Sequence, residues 1–323
     1  MARAGAFLQR ARSAECHGKL VAAERLYRRA LTAVSRRKPG PVQVQAWSGL
    51  GNLCRRLGRY PEADEFFRRA LPLAESLHGP DAEETRTILN NWAVLHKYQG
   101  RFAEGARLYR RALKAARAAH GDVHPEVATL YHNLGGLEHA RGRYAAGEPF
   151  ARKSVSIRQR LLGAKHPDVA ADDAALAAIL VGLEHYAEAE RIYRRALAVF
   201  RRAYGAEHHE VAVTLGNLAA LLHQTGRARG AERHYRRALA LKEKLLGPAH
   251  VEVGVTLNNL AVLLRSQGRG ELAEPLYRRA LALFEVALPA RHPSLISCRR
   301  NHARVRRELT ARSARNEAVK SHA

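Results

Sequence analysis

Apolar residues recur at three- and four-residue steps along almost the whole chain, in segments of helical length. In one segment Ala106, Tyr109 and Ala112 fall on a single helical face, with charged residues between them. The next segment has the same periodicity between Val127 and Leu137. The pattern therefore predicts a succession of amphipathic α-helices.

Glycine and the dipeptide His-Pro mark where these helices end and begin. One set of glycines follows the longer helices, where a left-handed residue is expected to stop them: Gly79, Gly121, Gly163, Gly205 and Gly247. A second set closes tight turns within helical pairs: Gly58, Gly100, Gly142, Gly226 and Gly268. Proline at the start of a helix loses no backbone hydrogen bond. The adjacent histidines, His124, His166 and His292, are predicted to cap those helices.

The helical pairs repeat along the chain. The string YRRAL or a close variant recurs seven times. Its fourth residue lies near the centre of each second helix, and we call it the central residue of the repeat: Ala30, Ala70, Ala112, Ser154, Ala196, Ala238 and Ala280. The first interval is 40 residues and every later interval is 42. A linear array of repeats is therefore predicted, and two separate globular domains are not.

The small–aromatic–small spacing of the second helix, as in Ala189, Tyr193 and Ala196, resembles the tetratricopeptide repeat. The 42-residue period and the phrase VTLNNLAVLLRSQGRGELAEPLYRRALALFE resemble the kinesin light chain-like subgroup. The resemblance implies an all-α solenoid of seven helix-turn-helix repeats over residues 1–309. Its last element is a capping helix over about 293–309, followed by a basic C-terminal extension, 310–323.

Asparagine recurs 21 residues before the central residue of a repeat. The asparagine row consists of Asn91, Asn133, Asn217 and Asn259, and continues at Asn301 in the capping helix. The residues directly before three of these asparagines are also polar and widen the strip: Asn90, His132 and Asn258. In proteins of the resembling family, first helices line a concave groove and this position contacts the ligand backbone. A carboxamide offers both a donor and an acceptor, which suits an extended peptide. Hydrogen bonding between adjacent repeats is the alternative use.

A basic edge follows the asparagine row along the same helices. Its members are Arg55, Arg56, Lys97, Tyr98, His139, His223 and Arg265. An amide floor with this edge favours a peptide or protein segment that carries carboxylates. Ordinary solvation of helix ends explains the same residues equally well.

The net charge of +25 raises nucleic-acid or polyanion binding as a second function. Each second helix carries a pair of basic residues, such as Arg194–Arg195, and residues 1–38 and 299–323 hold net charges of +8 and +6. However, in five repeats a glutamate lies four residues before the first residue of the basic pair: Glu24, Glu148, Glu190, Glu232 and Glu274. This spacing favours ion pairs within the helix, so much of the stripe is expected to be neutralised.

Repeat four departs from the pattern. Asp172 and Asp173 stand where the previous repeat has Leu130 and Tyr131, and Ala175 replaces the asparagine. Either looser packing or an ion pair with a neighbouring arginine is expected here.

No catalytic or metal-binding motif is predicted, and no cofactor. The string EHHE at 207–210 lacks a second histidine at the helical spacing that a zinc protease needs. Three scattered cysteines and the lack of a long apolar stretch indicate a cytoplasmic protein without a membrane span. A peptide-binding scaffold is therefore the predicted function. A sensor array that serves a separate enzyme is a further alternative.

Overall fold

A computed structural model describes residues 2–35, 38–288, 290 and 292–320. These residues form fifteen helices and no strand. The helices are α1 Ala2–Cys16, α2 Leu20–Thr32, α3 Pro41–Arg56, α4 Tyr60–His78, α5 Glu83–Tyr98, α6 Phe102–His120, α7 Pro125–Ala140, α8 Tyr144–Leu162, α9 Pro167–Gly182, α10 Tyr186–Tyr204, α11 His209–Gln224, α12 Ala228–Leu246, α13 Val251–Ser266, α14 Gly270–Ala287 and α15 Pro293–Lys320.

The predicted all-α architecture of helix-turn-helix repeats is confirmed. Odd-numbered helices are the first helices of the repeats, even-numbered helices are the second, and each pair packs most closely on itself. The chain forms two compact units, Met1–Ala164 with α1–α8 and Lys165–Ala323 with α9–α15. We call them unit 1 and unit 2.

Small residues let the helices of each unit approach closely. In unit 1, Ala63, Phe67 and Ala70 of α4 are fully buried. Gly51 of α3 leaves room for the Phe67 ring, because a Cβ there would lie 2.8 Å from two ring carbons. In unit 2, Phe200 of α10 is buried in the same kind of cluster. The small–aromatic–small spacing is therefore a packing device, as the sequence indicates.

Histidines cap the first helices as predicted. The Nδ1 atoms of His124, His166 and His292 accept hydrogen bonds from the backbone two residues later, at 3.1–3.3 Å. His208 does the same, so this part of the EHHE string serves as a helix cap. The glycines of the turns have positive φ, and Glu184 takes this conformation (φ 62°) in the turn between α9 and α10.

Helix α15 is longer than the other first helices. It continues from Pro293 to Lys320, so residues 310–320, expected to form a separate extension, are part of a continuous helix. Leu295, Cys298 and Val305 are buried on its inner face. Arg299 and Arg306 are exposed, and they provide a polar surface of the kind that a terminal repeat unit needs.

Asp172 and Asp173, assigned to repeat four from the sequence, lie in α9, the first helix of the fifth pair. Of the two outcomes expected for them, the ion pair is the one found. Asp172 and Asp173 are both buried in α9. The carboxylate of Asp173 accepts two hydrogen bonds from Nη2 of Arg195, at 2.8 and 2.7 Å. Burial raises the pKa of Asp173, and the nearby Arg195 opposes this shift.

We expect Asp173→Asn to melt at or above the wild-type temperature at pH 7. The raised pKa means that the native state binds the Asp173 proton more tightly than the unfolded state. This contribution to stability is full below about pH 3.8 and is lost as pH rises through the folded-state pKa. Thermal melts of both proteins between pH 4 and pH 7 test this. A lower melting temperature of the variant at pH 7 would show that the pair with Arg195 is a net stabiliser.

Candidate peptide-binding groove

The asparagine row of unit 1 lies on adjacent first helices, with Asn90 and Asn91 on α5 and Asn133 on α7, all half-buried. The Asn133 Nδ2 donates to Oδ1 of Asn90 at 2.8 Å, and the Asn90 Nδ2 donates to Oδ1 of Asn91 at 3.1 Å. Hydrogen bonding between repeats, the alternative use of the row, is therefore present in unit 1.

The two ends of this hydrogen-bonded chain remain available. Within the part of unit 1 that is described, Nδ2 of Asn91 and Oδ1 of Asn133 have no hydrogen-bond partner. One free donor and one free acceptor are what a peptide unit of an extended ligand requires. The neighbouring His132 is also half-buried on α7.

In unit 2 the row occupies three first helices, with Asn217 on α11, Asn259 on α13 and Asn301 on α15, all half-buried. The Asn258 Nδ2 donates to Oδ1 of Asn259 at 3.3 Å. The Oδ1 atom of Asn258 is buried and has no partner among the described residues. The row is thus less connected in unit 2 than in unit 1.

Gly49 occupies the row position of α3 in place of an asparagine, because the ring of Tyr27 fills the space that a side chain would need. A Cβ on Gly49 would lie 2.6 Å from Cε1 and 2.8 Å from Oη of Tyr27. The hydroxyl of Tyr27 donates to Oε2 of Glu15 at 2.5 Å, which fixes the ring.

A polar recess of about 450 Å³ lies beside the row in unit 1, and it was not predicted from the sequence. Its lining includes Glu15, Gln45, Ser48, Asn52, Glu83, Glu84, Thr87 and Asn91. Gln45 and Thr87 lie one helical turn before the row position in their repeats, a spacing that could have revealed them. The three carboxylates give this part of the groove a negative side.

The basic edge of unit 1 comes from three equivalent positions, Arg55 of α3, Lys97 of α5 and His139 of α7. Burial, with a smaller contribution from Arg55, lowers the pKa of Lys97. Burial, with a smaller contribution from Lys97, lowers the pKa of His139. Tyr98 is exposed, and Cζ of Arg55 and Nζ of Lys97 lie 5.7 and 6.0 Å from its ring centre.

The equivalent positions of unit 2 are occupied by His223 and Arg265, which have partners. His223 lies 3.2 Å from the hydroxyl of Ser266. The Nη1 atom of Arg265 lies 3.1 Å from Oε1 of Glu308 on α15. The two units thus differ at the basic edge, although their sequences are similar there.

We expect Lys97→Met to raise the pKa of His139 part of the way towards 6.5, because it removes the electrostatic cause and leaves the burial. In the wild type the unfolded state binds the His139 proton more tightly. The contribution of His139 to stability is therefore lost as pH falls through about 6.5 to the folded-state pKa. An NMR titration of the His139 ring measures the change. An unaltered pKa would mean that Lys97 does not reach the imidazole.

The arginine stripe on the second helices is largely neutralised, as the spacing predicts. Arg28 pairs with Glu24 at 2.9 Å, and Arg194 pairs with Glu190 at 2.7 Å. The same pairing occurs at Arg152–Glu148, Arg236–Glu232 and Arg278–Glu274, at 2.8, 2.6 and 3.8 Å.

Several of these glutamates also bind an arginine from the next repeat. Arg59 contacts Glu24 at 2.6 Å, Arg227 contacts Glu190 at 2.6 Å and Arg269 contacts Glu232 at 2.7 Å. These pairs between repeats were not found from the sequence, since they join residues 35 or 37 positions apart. They leave less of the stripe available to a polyanion.

His120, His124 and Glu126 bring three possible metal-ligand atoms within 4.8 Å of one another in unit 1. The guanidinium of Arg86 contacts Glu126 through Nε at 2.7 Å and Nη2 at 2.9 Å. Its Nη2 also lies 3.0 Å from Nε2 of His120, which must accept because arginine can only donate. The cluster is therefore a hydrogen-bonded network around a buried arginine.

Among the described helices, none is both long and apolar enough to span a lipid bilayer.

The stacked helix-turn-helix pairs and their small–aromatic–small packing define the class of all-α helical-repeat proteins. Family models described as tetratricopeptide repeat match residues 42–118, 84–146, 171–244 and 252–316, and also 127–168. The chain belongs to the tetratricopeptide repeat family. A comparison with curated protein sequences found no significant match.

Among solved structures, the chain is similar to BtubC (BKLC) from P. vanneervenii, with 25% identity, a TM-score of 0.55, and 74% of this chain and 93% of that chain covered. It is similar to a putative kinesin light chain from Podosopora anserina at 19% identity and a TM-score of 0.51, covering 61% and 92%. A Rap protein complexed with Competence and Sporulation Factor has 15% identity and a TM-score of 0.58, covering 94% and 86%. The chain thus resembles the kinesin light chain-like subgroup, and the lower-identity likenesses establish the fold.

Proposed function

We propose that this protein is a non-catalytic scaffold that binds an extended peptide or protein segment in the groove of its first helices. The observation that carries this proposal is the free donor of Asn91 and the free acceptor of Asn133, on adjacent helices of unit 1. Tetratricopeptide repeats commonly serve protein–protein interaction, and the Rap neighbour is a complex with a factor.

The ligand is expected to carry acidic groups on the side that faces Arg55, Lys97 and His139. These side chains leave the groove of unit 1 with uncompensated positive charge along one edge. The polar recess beside the row is lined by Glu15, Glu83 and Glu84, whose carboxylates outnumber the one cation of Arg12, so it favours a neutral or basic side chain.

We expect the double variant Asn91→Ala, Asn133→Ala to bind an acidic peptide about tenfold or more weakly, because each lost hydrogen bond contributes on the order of 1 kcal/mol. The measurement is an affinity panel of acidic decapeptides, with helicity checked by circular dichroism. Gln159→Ala on the second helix α8 is the control and should bind as the wild type does. Equal affinity of the double variant and the control would contradict the groove proposal.

Nucleic-acid binding is the competing outcome of the same measurements. A protein that neutralises several phosphates loses affinity steeply as salt rises, because counterions are released. A steep salt dependence on duplex or single-stranded nucleic acid, with no effect of the asparagine changes, would favour the arginine stripe and the basic ends.

A further inference from the structure

Arg55 and Lys97 form a concentrated pair of cations in the groove of unit 1. Both lie over the ring of Tyr98, with Cζ of Arg55 at 5.7 Å and Nζ of Lys97 at 6.0 Å from its centre. A cation over an aromatic face gains about 0.5–1 kcal/mol at an exposed site. The positive charge of Arg55 adds to the effect of burial in lowering the pKa of Lys97, so the two cations repel each other.

Neither cation has a carboxylate partner in the described part of the chain. The Nε atom of Arg55 is buried and makes no hydrogen bond to any described residue, as is also true of Nε of Arg59 and Arg265. Arg59 and Arg86 of unit 1 do have a carboxylate partner, Glu24 at 2.6 Å and Glu126 at 2.7 Å. Arg55 and Lys97 therefore differ from these two arginines in that their charges stay uncompensated.

Unit 2 shows what the same position looks like when its charge is neutralised. Arg265 occupies the repeat position of Arg55 and Lys97, and Glu308 contacts it at 3.1 Å. Repeat architecture alone therefore does not require the charge in unit 1 to stay uncompensated.

His139 is the third member of the cluster. It lies at the equivalent position of α7, and its ring meets the edge of Tyr144 at 5.4 Å between centroids. Gly136, one turn earlier, leaves space beside Lys97: a Cβ there would be 3.7 Å from Nζ. Lys97 thus lies between the two other groups: it shares the ring of Tyr98 with Arg55, and its charge contributes to lowering the pKa of His139 on the next first helix.

We propose that Arg55, Lys97 and His139 form a subsite for a phosphomonoester dianion carried on the segment that binds the groove. A phosphorylated side chain brings a charge of about −1.5 to −2 and three acceptor oxygens, which matches two cations and one imidazole. One carboxylate would neutralise only one of the two cations. The proposal rests on the proposed groove function for the rest of the ligand.

Three matched peptide libraries test this proposal. They are acetylated decapeptides with a central phosphoserine, serine or glutamate, and inorganic phosphate is a fourth probe. We expect the phosphoserine library to bind at least tenfold more tightly than the serine library. Its binding should also raise the pKa of His139 in an NMR titration, because a nearby anion favours the imidazolium.

The variants Arg55→Gln and Lys97→Met should each remove the preference for phosphoserine while circular dichroism shows intact helices. Arg265→Gln, at the equivalent position of unit 2, is the matched control and should keep the preference. Lys97→Arg retains the charge and should keep most of the preference for phosphoserine. These substitutions remove or preserve a like charge, so loss of folding is not the expected cause of an effect.

Equal binding of the phosphoserine and serine libraries would overturn the proposal, and so would equal effects of Arg55→Gln and Arg265→Gln. Binding of inorganic phosphate without a preference for the phosphopeptide would also overturn it, since the ligand would then be a free phosphate. If peptides bind through Asn91 and Asn133 but show no preference, only the subsite fails. If the preference survives Asn91→Ala, Asn133→Ala unchanged, the subsite stands and the groove proposal fails.

Discussion

Glu126→Gln is expected to destabilise unit 1 by about 3 kcal/mol, because it leaves the charge of Arg86 buried without a carboxylate. The Arg86 side chain is only 4% exposed, and Glu126 provides its sole carboxylate contact among the described residues. The guanidinium makes two further hydrogen bonds, to the backbone oxygen of Asp81 and to Nε2 of His120. The second requires the histidine tautomer in which Nε2 accepts, and neither acceptor carries a negative charge. Chemical denaturation at pH 7 measures the change.

Arg86→Met should cost much less than Glu126→Gln, because Glu126 is partly exposed and can be hydrated once its partner is gone. Glu210→Gln is a matched control at the equivalent position of unit 2. Among the described residues its carboxylate has only a distant contact with His209, at 3.8 Å, so a change within about 0.5 kcal/mol is expected. Similar losses for Glu126→Gln and Glu210→Gln would mean that burial of Arg86 does not decide the effect.

Gly49→Asn is expected to destabilise unit 1 by about 1–3 kcal/mol, although it would extend the asparagine row by one repeat. The new Cβ would overlap the Tyr27 ring, which is 3% exposed and hydrogen-bonded to Glu15. The overlap outweighs the gain in helix propensity from removing a glycine, which is about 1 kcal/mol. Thermal and chemical denaturation of the variant measure the sum.

Gly216→Ala in α11 isolates the propensity term, because a Cβ added at Gly216 would have no neighbouring atom within 4 Å among the described residues. This control is expected to gain up to about 1 kcal/mol. A stabilised Gly49→Asn would show that Tyr27 can move aside, and the row would then be free to include repeat two.

The helices, their pairing and the repeat period could all be predicted from the sequence, because they depend on short-range patterns. Apolar spacing, turn glycines and His-Pro caps act within a few residues, and each signal recurs with the 42-residue period. The pairing of Arg194 with Glu190 is also local, since residues four apart share one helical face.

Which charged side chains of the groove have a partner could not be predicted from such short-range patterns. Equivalent positions in the sequence, such as Lys97 and Arg265, differ in whether a carboxylate lies nearby. Glu308 is 43 residues from Arg265, and nothing in the local pattern connects them. Likewise, Asp173 resembles a defect in the repeat until Arg195 is seen to bind it.

The sequence by itself determined a repeating all-α chain of the tetratricopeptide type, with an asparagine row on its first helices. Periodic apolar and turn residues specify local structure, and seven copies of one local pattern specify one way of stacking. Only the tertiary structure decided which row positions keep a free donor or acceptor and which charges are neutralised. Those properties depend on distances between side chains of different repeats, such as 2.8 Å from Asn133 to Asn90 and 3.1 Å from Arg265 to Glu308. Such distances are set by packing, not by spacing along the chain.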